Sequence, residues 1–352
     1  MSSYKDAGVD IERGEEAVRR ITKHVKSTYT KDVLGGVGWF AGALNASALK
    51  KMEEPVLLAT IDGVGTKTAI AAAMAALYPS EASGTGPLPW DPWNGIGHDI
   101  VNHSANDLAA QGGTPLLFLD YLASSRLDPV VIEKIVAGMS EACKALECVL
   151  IGGETAEMPD VYHEGAHDVA GCMIGVAERR EMITGEGICA GDVLIALPSS
   201  GLHTNGYSLA RKVLLEDAKM DLHAKLPELD CTPGEALLKP HTCYSPLVRK
   251  LHKKIGLHGV AHITGGGIPG NLPRILPKGL GAEVKRSAIN VLPIFTLIQK
   301  KGNVSTEEMD AAMNMGVGMI LVVTEKDVKK VLGVGRGYVL GKVVKGEGVK
   351  YV

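Results

Sequence analysis

Twice in this chain of 352 residues, an apolar run that reads as a buried strand ends in an acidic, glycine-punctuated segment. Val56–Ile61 leads into Asp62-Gly-Val-Gly-Thr-Lys67, and Cys148–Ile151 leads into Gly152-Gly-Glu-Thr-Ala-Glu-Met-Pro159. A carboxylate at the end of a buried strand is a poor core residue. Followed by glycines, it can hold a hard cation while backbone N–H groups approach phosphate oxygens. Lys67 adds a cation to the first segment. No G-x-x-x-x-G-K-[ST] run occurs, so any nucleotide chemistry here proceeds without a P-loop.

The length suits two domains. Forty-three glycines are well above the ordinary share of about 7%. Apolar strands separate them, so they mark tight backbone sites rather than disorder. A net charge of −3 with few aromatics argues against a nucleic-acid partner. No apolar run reaches the roughly 18–20 residues that span a bilayer, and Met1-Ser-Ser-Tyr-Lys-Asp has no signal-peptide pattern. Six cysteines without a C-x-x-C pair read as reduced packing residues, which places the chain in the cytoplasm.

Along the chain, residues 11–26 read as a helix, followed by a polar, glycine-rich stretch, Thr28–Gly42, with Gly35-Gly-Val-Gly38 and Trp39. Thr68–Leu77 is an alanine-rich helix. Residues 78–95 hold four prolines and read as an irregular insert. Helix 96–111, strand Pro115–Leu122, amphipathic helix Pro129–Glu147 and strand Val169–Ala177 complete a first domain. A boundary is expected near residues 180–190. The second half alternates strands (Asp192–Leu197, Gly259–Ile263, Ala282–Lys285, Met319–Thr324) with helices (Tyr207–Glu216, Ser245–Ile255, Gly270–Leu276, Pro293–Lys300, Ser305–Asn314). Asp217–Pro240 reads as a polar linker, and the strands flanking Gly346-Glu-Gly348 as a closing hairpin. Both halves are α+β.

Asp62 reads either as an Asx-turn or N-cap residue or, with Thr66 and Lys67 beside it, as part of a metal and phosphate site. Asp99, His103 and Asp107 recur at i, i+4 and i+8, which puts them on one helix face. The two aspartates are then about 12 Å apart along the axis, too far to share one ion. Glu154 and Glu157 suit a hard cation with oxygen ligands; the alternative is a solvated acidic loop. His203, between Gly201 and Gly206 in a Ser/Asn turn, is a candidate acid, base or phosphate donor, although most exposed loop histidines are bystanders. His98, His163, His167, His241 and Cys243 lack zinc-site spacing.

The motifs resemble the phosphoribosylformylglycinamidine cyclo-ligase (aminoimidazole ribonucleotide synthetase) family of purine synthesis. Tyr4-Lys-Asp-Ala-Gly-Val-Asp10 is similar to its opening, and Gly35–Gly38 to its glycine-rich segment. Asp62–Lys67, Asn106-Asp107-Leu108, Pro115–Tyr121, Gly152–Pro159, Ser199–Tyr207, Thr264-Gly-Gly-Gly267 and Gly316-Val-Gly-Met319 follow in the family's order. The 62–67 segment is shared by a wider superfamily. The Gly152–Pro159 run together with the opening is more specific.

The resemblance implies an α+β protein of two domains, 1–185 for ATP binding and dimerisation and 186–352 as a C-terminal α/β sandwich. It implies a homodimer whose N-terminal domains share a β-barrel. ATP would phosphorylate the formyl oxygen of formylglycinamidine ribonucleotide, and a nitrogen would then close the imidazole ring and expel phosphate. Mg²⁺ is implied, with K⁺ as an accessory ion. Asp62, Asp107, Glu154 and His203 carry over as catalytic residues, the first three also as metal ligands. Gly35, Gly36, Gly38, Gly63, Gly65, Thr66, Lys67, Gly152, Gly153 and Thr155 carry over as cofactor-binding residues, with 35–38 a lid on ATP.

The insert at 78–95, with Trp90 and Trp93, departs from the family pattern. With Trp39 it puts all three tryptophans in loops, and the insert is expected to pack near the site or the dimer seam. A lysine the family places near Lys23 is not assigned. Other ATP-using superfamily members are the alternatives. The hydrogenase-maturation type needs a C-terminal cysteine, whereas this chain ends Val349-Lys-Tyr-Val352. Selenophosphate synthetase needs a Cys or selenocysteine near its N-terminus, whereas the first cysteine here is Cys143. Thiamine-phosphate kinase lacks the Gly152–Pro159 run. A non-catalytic scaffold would have lost carboxylates that are present here.

Overall fold

A computed structural model describes residues 8–76, 91–335 and 337–352. The chain divides into two compact units, one of residues through Ala105 with Thr114–Arg180, the other of Asn106–Gly113 with Glu181–Val352. Residues 106–113 thus join the second unit, a division that one cut near 185 does not capture.

The first unit contains α1 (Ile11–Lys26), β1 (Val33–Gly35), β2 (Ala43–Leu44), β3 (Pro55–Gly63), α2 (Lys67–Ala76), most of α3 (Pro92–Ala110), β4 (Thr114–Ser124), α4 (Pro129–Ala145), β5 (Val149–Glu157) and β6 (His167–Glu178). Its main sheet has the order β3-β6-β4-β5, antiparallel except for the β4–β5 pair. The alternation along β6 sorts the two faces. Val169 and Met173 are buried beneath the helices, whereas Ala170, Cys172 and Ile174, on the alternate positions, are only half-buried. On the latter face Leu57 and Ile61 of β3 remain 64% and 74% exposed. Asp128 caps α4, accepting from Val130 N and Val131 N, with Pro129 opening the helix.

Three expectations change here. The segment after Ile151 is no turn, because β5 continues through Gly152–Glu157 paired with β4. The helix expected at 96–111 begins at Pro92, inside the predicted insert. Proline is tolerated in a first helical turn, where its missing N–H would have no intrahelical partner. Trp93 therefore lies in a helix, is buried, and meets the His167 ring edge-on at 4.8 Å. The rest of the insert, with Trp90, lies outside the described residues except for Asp91.

The second unit has β7 (Val193–Pro198), α5 (Tyr207–Arg211), α6 (Pro233–Leu238), α7 (Ser245–Ile255), β8 (Gly259–His262), α8 (Gly267–Asn271), β9 (Leu280–Val284), α9 (Pro293–Gly302), α10 (Thr306–Ala312), β10 (Val317–Val323), α11 (Val328–Leu332), β11 (Tyr338–Lys345) and β12 (Val349–Tyr351). The sheet order is β12-β9-β11-β7-β10-β8, antiparallel except for β12 with β9. Leu194 and Ala196 enter one core cluster, Ile195 and Leu197 the other. Both faces are therefore covered, which explains the unbroken burial of Val317–Val323.

The expected terminal hairpin does not form, because β9 lies between β11 and β12. The predicted linker at 217–240 contains α6, opened by a capping box between Thr232 and Glu235. Val317 opposes Pro198 and Met319 opposes His262. The loops after β7, after β8 and before β10 therefore gather at one end of the sheet.

Candidate active site

The first unit arranges its carboxylates in register rows. Asp62 of β3, Gly171 of β6, Asp120 of β4 and Gly153 of β5 form one row across the sheet. Directly opposed residues share a face, and this row faces the helices. Asp62 Oδ2 lies 2.8 Å from His103 Nε2 of α3. Asp62 also accepts from Gly63 N at 2.7 Å. It is not an N-cap, because α2 starts five residues later, at Lys67. Its side chain is 44% exposed.

The next row, Gly63–Ala170–Tyr121–Glu154, faces the opposite side. Glu154 is exposed there, at the far edge of the sheet from β3. Three strand spacings separate β3 from β5, about 14 Å along the sheet. Asp62 and Glu154 of one copy thus do not converge on one ion.

Asp120, absent from the sequence expectations, stands between Gly171 and Gly153 in the row that begins at Asp62. Burial, with the Glu154 charge adding, pushes its carboxyl up to about 7. A Cβ on Gly153 would lie 2.1 Å from Asp120 Oδ1, so glycine there makes room for this carboxyl. Gly152 has no such neighbour, and Thr155 opposes Leu122. Glu157 accepts from Asp10 N at 2.6 Å and Leu127 N at 2.8 Å, a structural tie. It borders a cavity of about 570 Å³ with Arg13 and Arg126 that is lined by none of the other predicted residues.

Gly65 takes a left-handed φ of 69°, and Gly65 and Thr66 are exposed. Lys67 instead turns inward, with Nζ 2.7 Å from Asp99 Oδ2. Burial pulls its ammonium down against the opposing pull of Asp99. In the 35–38 segment, the Trp39 ring lies over Gly35, where a Cβ would clash, and Gly36 abuts the Tyr29 hydroxyl. That hydroxyl accepts from Val37 N at 2.9 Å. Gly38 has φ 96°, and Phe40 is fully exposed.

The second unit gathers a different set. Asp107 Oδ1 lies 2.9 Å from His262 Nδ1, and His262 Nε2 lies 3.1 Å from His241 Nε2. His241 stacks on His203 at 3.9 Å with ring planes 18° apart. Contrary to the reading of an exposed loop histidine, His203 is buried, with a left-handed φ of 63°. Asn106 ties residues 106–113 to this cluster, donating to Thr242 O and accepting from Tyr244 N. Asn314 holds the 199–201 loop through Ser199 Oγ and Gly201 O.

Asp107 and His203 thus belong to one cluster, and Asp62, with Asp120 and Glu154, to the sheet of the other unit. His241, His262 and Asp120 were missed. Position at a strand end before a glycine run marks His262 in the sequence; nothing local marks His241.

Two family models match the chain: AIR synthase related protein, N-terminal domain, over residues 6–177, and AIR synthase related protein, C-terminal domain, over residues 190–352. A phosphoribosylformylglycinamidine cyclo-ligase of Bacillus cytotoxicus is 46% identical over 355 residues, covering 99% of this chain and 97% of its own. Among solved structures, thiamine-monophosphate kinase of Stenotrophomonas maltophilia aligns with TM-score 0.64 and 18% identity over 96% of this chain and 95% of its own. A hydrogenase maturation protein, HypE, in complex with ATP aligns with TM-score 0.63 and 17% identity over 93% and 86%. At such identities these two structures establish the shared fold alone.

Proposed function

This chain belongs to the AIR synthase related protein family and, within it, to the phosphoribosylformylglycinamidine cyclo-ligases, and we propose that its residues close the imidazole ring of 5-aminoimidazole ribonucleotide at the expense of ATP. The observation that carries this reading is the 46% identity to a named cyclo-ligase over 99% of the chain. The presence of Asp62, Asp107, Glu154 and His203 within the motifs that carry the resemblance supports it. ATP as the phosphoryl donor is supported by the shared fold with an ATP-bound protein.

In the proposed reaction the formyl oxygen of formylglycinamidine ribonucleotide attacks the γ-phosphorus, forming a P–O bond as the bond to ADP breaks. The amidine nitrogen that becomes a ring nitrogen then attacks the activated carbon. The C–N bond closes the ring, the C–O bond breaks with phosphate leaving, and the nitrogen loses its proton. An amide oxygen is a weak nucleophile and the triphosphate repels it, so positioning and charge neutralisation must supply the rate.

Asp62, on an exposed strand end and fixed by His103, has the hard oxygen donors that suit Mg²⁺. Mg²⁺ bound there would neutralise triphosphate charge. Glu154 and Asp107 are the other proposed metal-binding carboxylates, with K⁺ as an accessory ion. The exposed Gly65–Thr66 turn, with Gly63, Gly152, Gly153 and Thr155, receives phosphate in this reading. Lys67 acts from behind, fixing the start of α2 through Asp99. Gly35, Gly36 and Gly38 close over ATP and exclude water, which would otherwise hydrolyse the phosphorylated intermediate.

A homodimer is part of this reading, and the sheet supports it. Leu57 and Ile61 lie exposed on the face that also carries Glu154. An apolar face of this kind calls for a cover, and the twofold-related sheet of a second copy would close a barrel over it. Glu154 would then face the partner, and the site would be completed across the seam. The reading is tested by mixing the protein with formylglycinamidine ribonucleotide and Mg-ATP. Aminoimidazole ribonucleotide should accumulate; its absence, with thiamine monophosphate phosphorylated instead, would reassign the substrate.

A further inference from the structure

One buried side chain organises the Thr264-Gly-Gly-Gly267 segment that follows β8. Asn271, 3% exposed, points its Nδ2 at three main-chain oxygens: Gly267 O at 2.8 Å, Gly265 O at 3.1 Å and Thr264 O at 3.4 Å. Its Oδ1 accepts from the Thr264 hydroxyl at 3.3 Å and from Arg274 at 3.2 Å. A carbonyl only accepts and a guanidinium only donates, so this amide has one orientation. Gly266 O, the remaining carbonyl of the segment, accepts from Gly270 N at 2.9 Å. All four carbonyl oxygens are thereby engaged within the protein.

Two of the N–H groups are not. Gly267 N closes the turn on Thr264 O at 3.1 Å, but among the described residues no acceptor meets the N–H of Gly265 or of Gly266. Gly265 is exposed and Gly266 half-buried. Gly266 and Gly267 have φ 94° and 58°, left-handed values that glycine adopts without strain. α10 backs the turn directly, since a Cβ on Gly267 would stand 1.9 Å from Asp310 O. Consecutive amide donors with their carbonyls held elsewhere offer an anion positive partial charge without repulsion.

We propose that Asn271 is a positioning residue that presents the Gly265 and Gly266 N–H groups as a receptor for the phosphate of a ribonucleotide. Phosphate oxygens only accept, and a monoester has enough of them to meet both donors. In the cyclo-ligase reading, on which the choice of ligand rests, the triphosphate meets the Gly65–Thr66 turn of the first unit. The 5′-phosphate of formylglycinamidine ribonucleotide is the group that remains to be held. It does not react, so neutral donors fixed in advance suffice for it.

The receptor is tested on the wild type by nitrogen-15 amide spectra. Ribose 5-phosphate should shift the Gly265 and Gly266 signals saturably, and ribose should not. No response to ribose 5-phosphate would overturn the receptor. A response to Mg-ATP at least as strong would give the loop to ATP and overturn the ribonucleotide assignment.

Asn271→Ala removes the donor, and Asn271→Leu does so while keeping the volume; neither adds charge. A variant that matches the wild type by circular dichroism should bind ribose 5-phosphate about tenfold or more weaker, the worth of one hydrogen bond to a charged group. Its KM for formylglycinamidine ribonucleotide should rise by a like factor, with kcat and KM for ATP little changed. Wild-type affinity in a folded variant, or a fall in kcat alone, would remove Asn271 from the role. The spectra need no turnover, so a wild type that forms no imidazole would overturn the activity assignment while the amide shifts still decide this inference.

Discussion

Lys67 Nζ lies 2.7 Å from Asp99 Oδ2, and neither side chain reaches solvent. The lysine that the sequence offers to a phosphate is thus held within the first unit. Removing one partner of such a pair leaves a buried charge uncompensated, at a cost of about 3–5 kcal/mol. Lys67→Ala and Asp99→Ala should each lose stability on that order in urea unfolding, and Lys67→Met with Asp99→Leu should recover most of it. If Lys67→Ala unfolds like the wild type but loses ATP binding, the lysine works on phosphate directly.

Asp120 gives a pH signature. Its folded carboxyl titrates at about 7 against an ordinary 3.8, so the native state keeps a proton that the unfolded chain releases. Its contribution is whole below about pH 4, falls as pH rises toward 7, and is level above. The melting temperature of Asp120→Asn relative to wild type should therefore rise from pH 4 to 7 and then stay constant. Parallel curves across that window would remove the perturbed carboxyl.

Much of this architecture was legible in the sequence. The apolar spacing of Ile132, Ile135, Val136 and Met139 marks α4 because its buried face repeats at the helical period. The run Met319–Thr324 marks a strand, found as β10 (Val317–Val323) and buried along its length. What failed was nonlocal. Gly152–Glu157 reads as a turn until β4 is seen to pair with it, and the last two strands read as a hairpin until β9 enters between them. Pro92 reads as a breaker although it opens α3. Asp62 and His203 stand at strand ends beside glycines, which is a local signal. His241 and Asp120 acquire meaning only from His262, His203 and Gly153, which lie far from them in the chain or on another strand.

The sheet face bearing Ile61, 74% exposed, tests the assembly. Ile61→Lys would place a charge in the proposed seam, where desolvation opposes burial. Sedimentation should report a dimer for wild type and a monomer for the variant, with circular dichroism unchanged. A monomeric wild type would refute the shared barrel.

Glu154 is exposed, so its loss should not unfold the protein. Glu154→Ala should abolish imidazole formation, by a factor of about 10² or more, while the melting temperature and oligomeric mass stay unchanged. Wild-type turnover in that variant would take Glu154 out of the mechanism.

Gly318 leaves space for Tyr244, whose hydroxyl donates to Pro198 O at 2.7 Å, and for His203. Gly318→Ala should displace both rings and lower kcat about tenfold or more, with ATP affinity retained. Unchanged kcat would mean the ring position is not limiting.

The most direct test follows the oxygen. Formylglycinamidine ribonucleotide carrying oxygen-18 in its formyl group is turned over with unlabelled Mg-ATP, and the released inorganic phosphate is examined by mass spectrometry. Activation by phosphorylation predicts one labelled oxygen in each phosphate and one ADP per imidazole formed. Unlabelled phosphate, with the label lost to water, would contradict it.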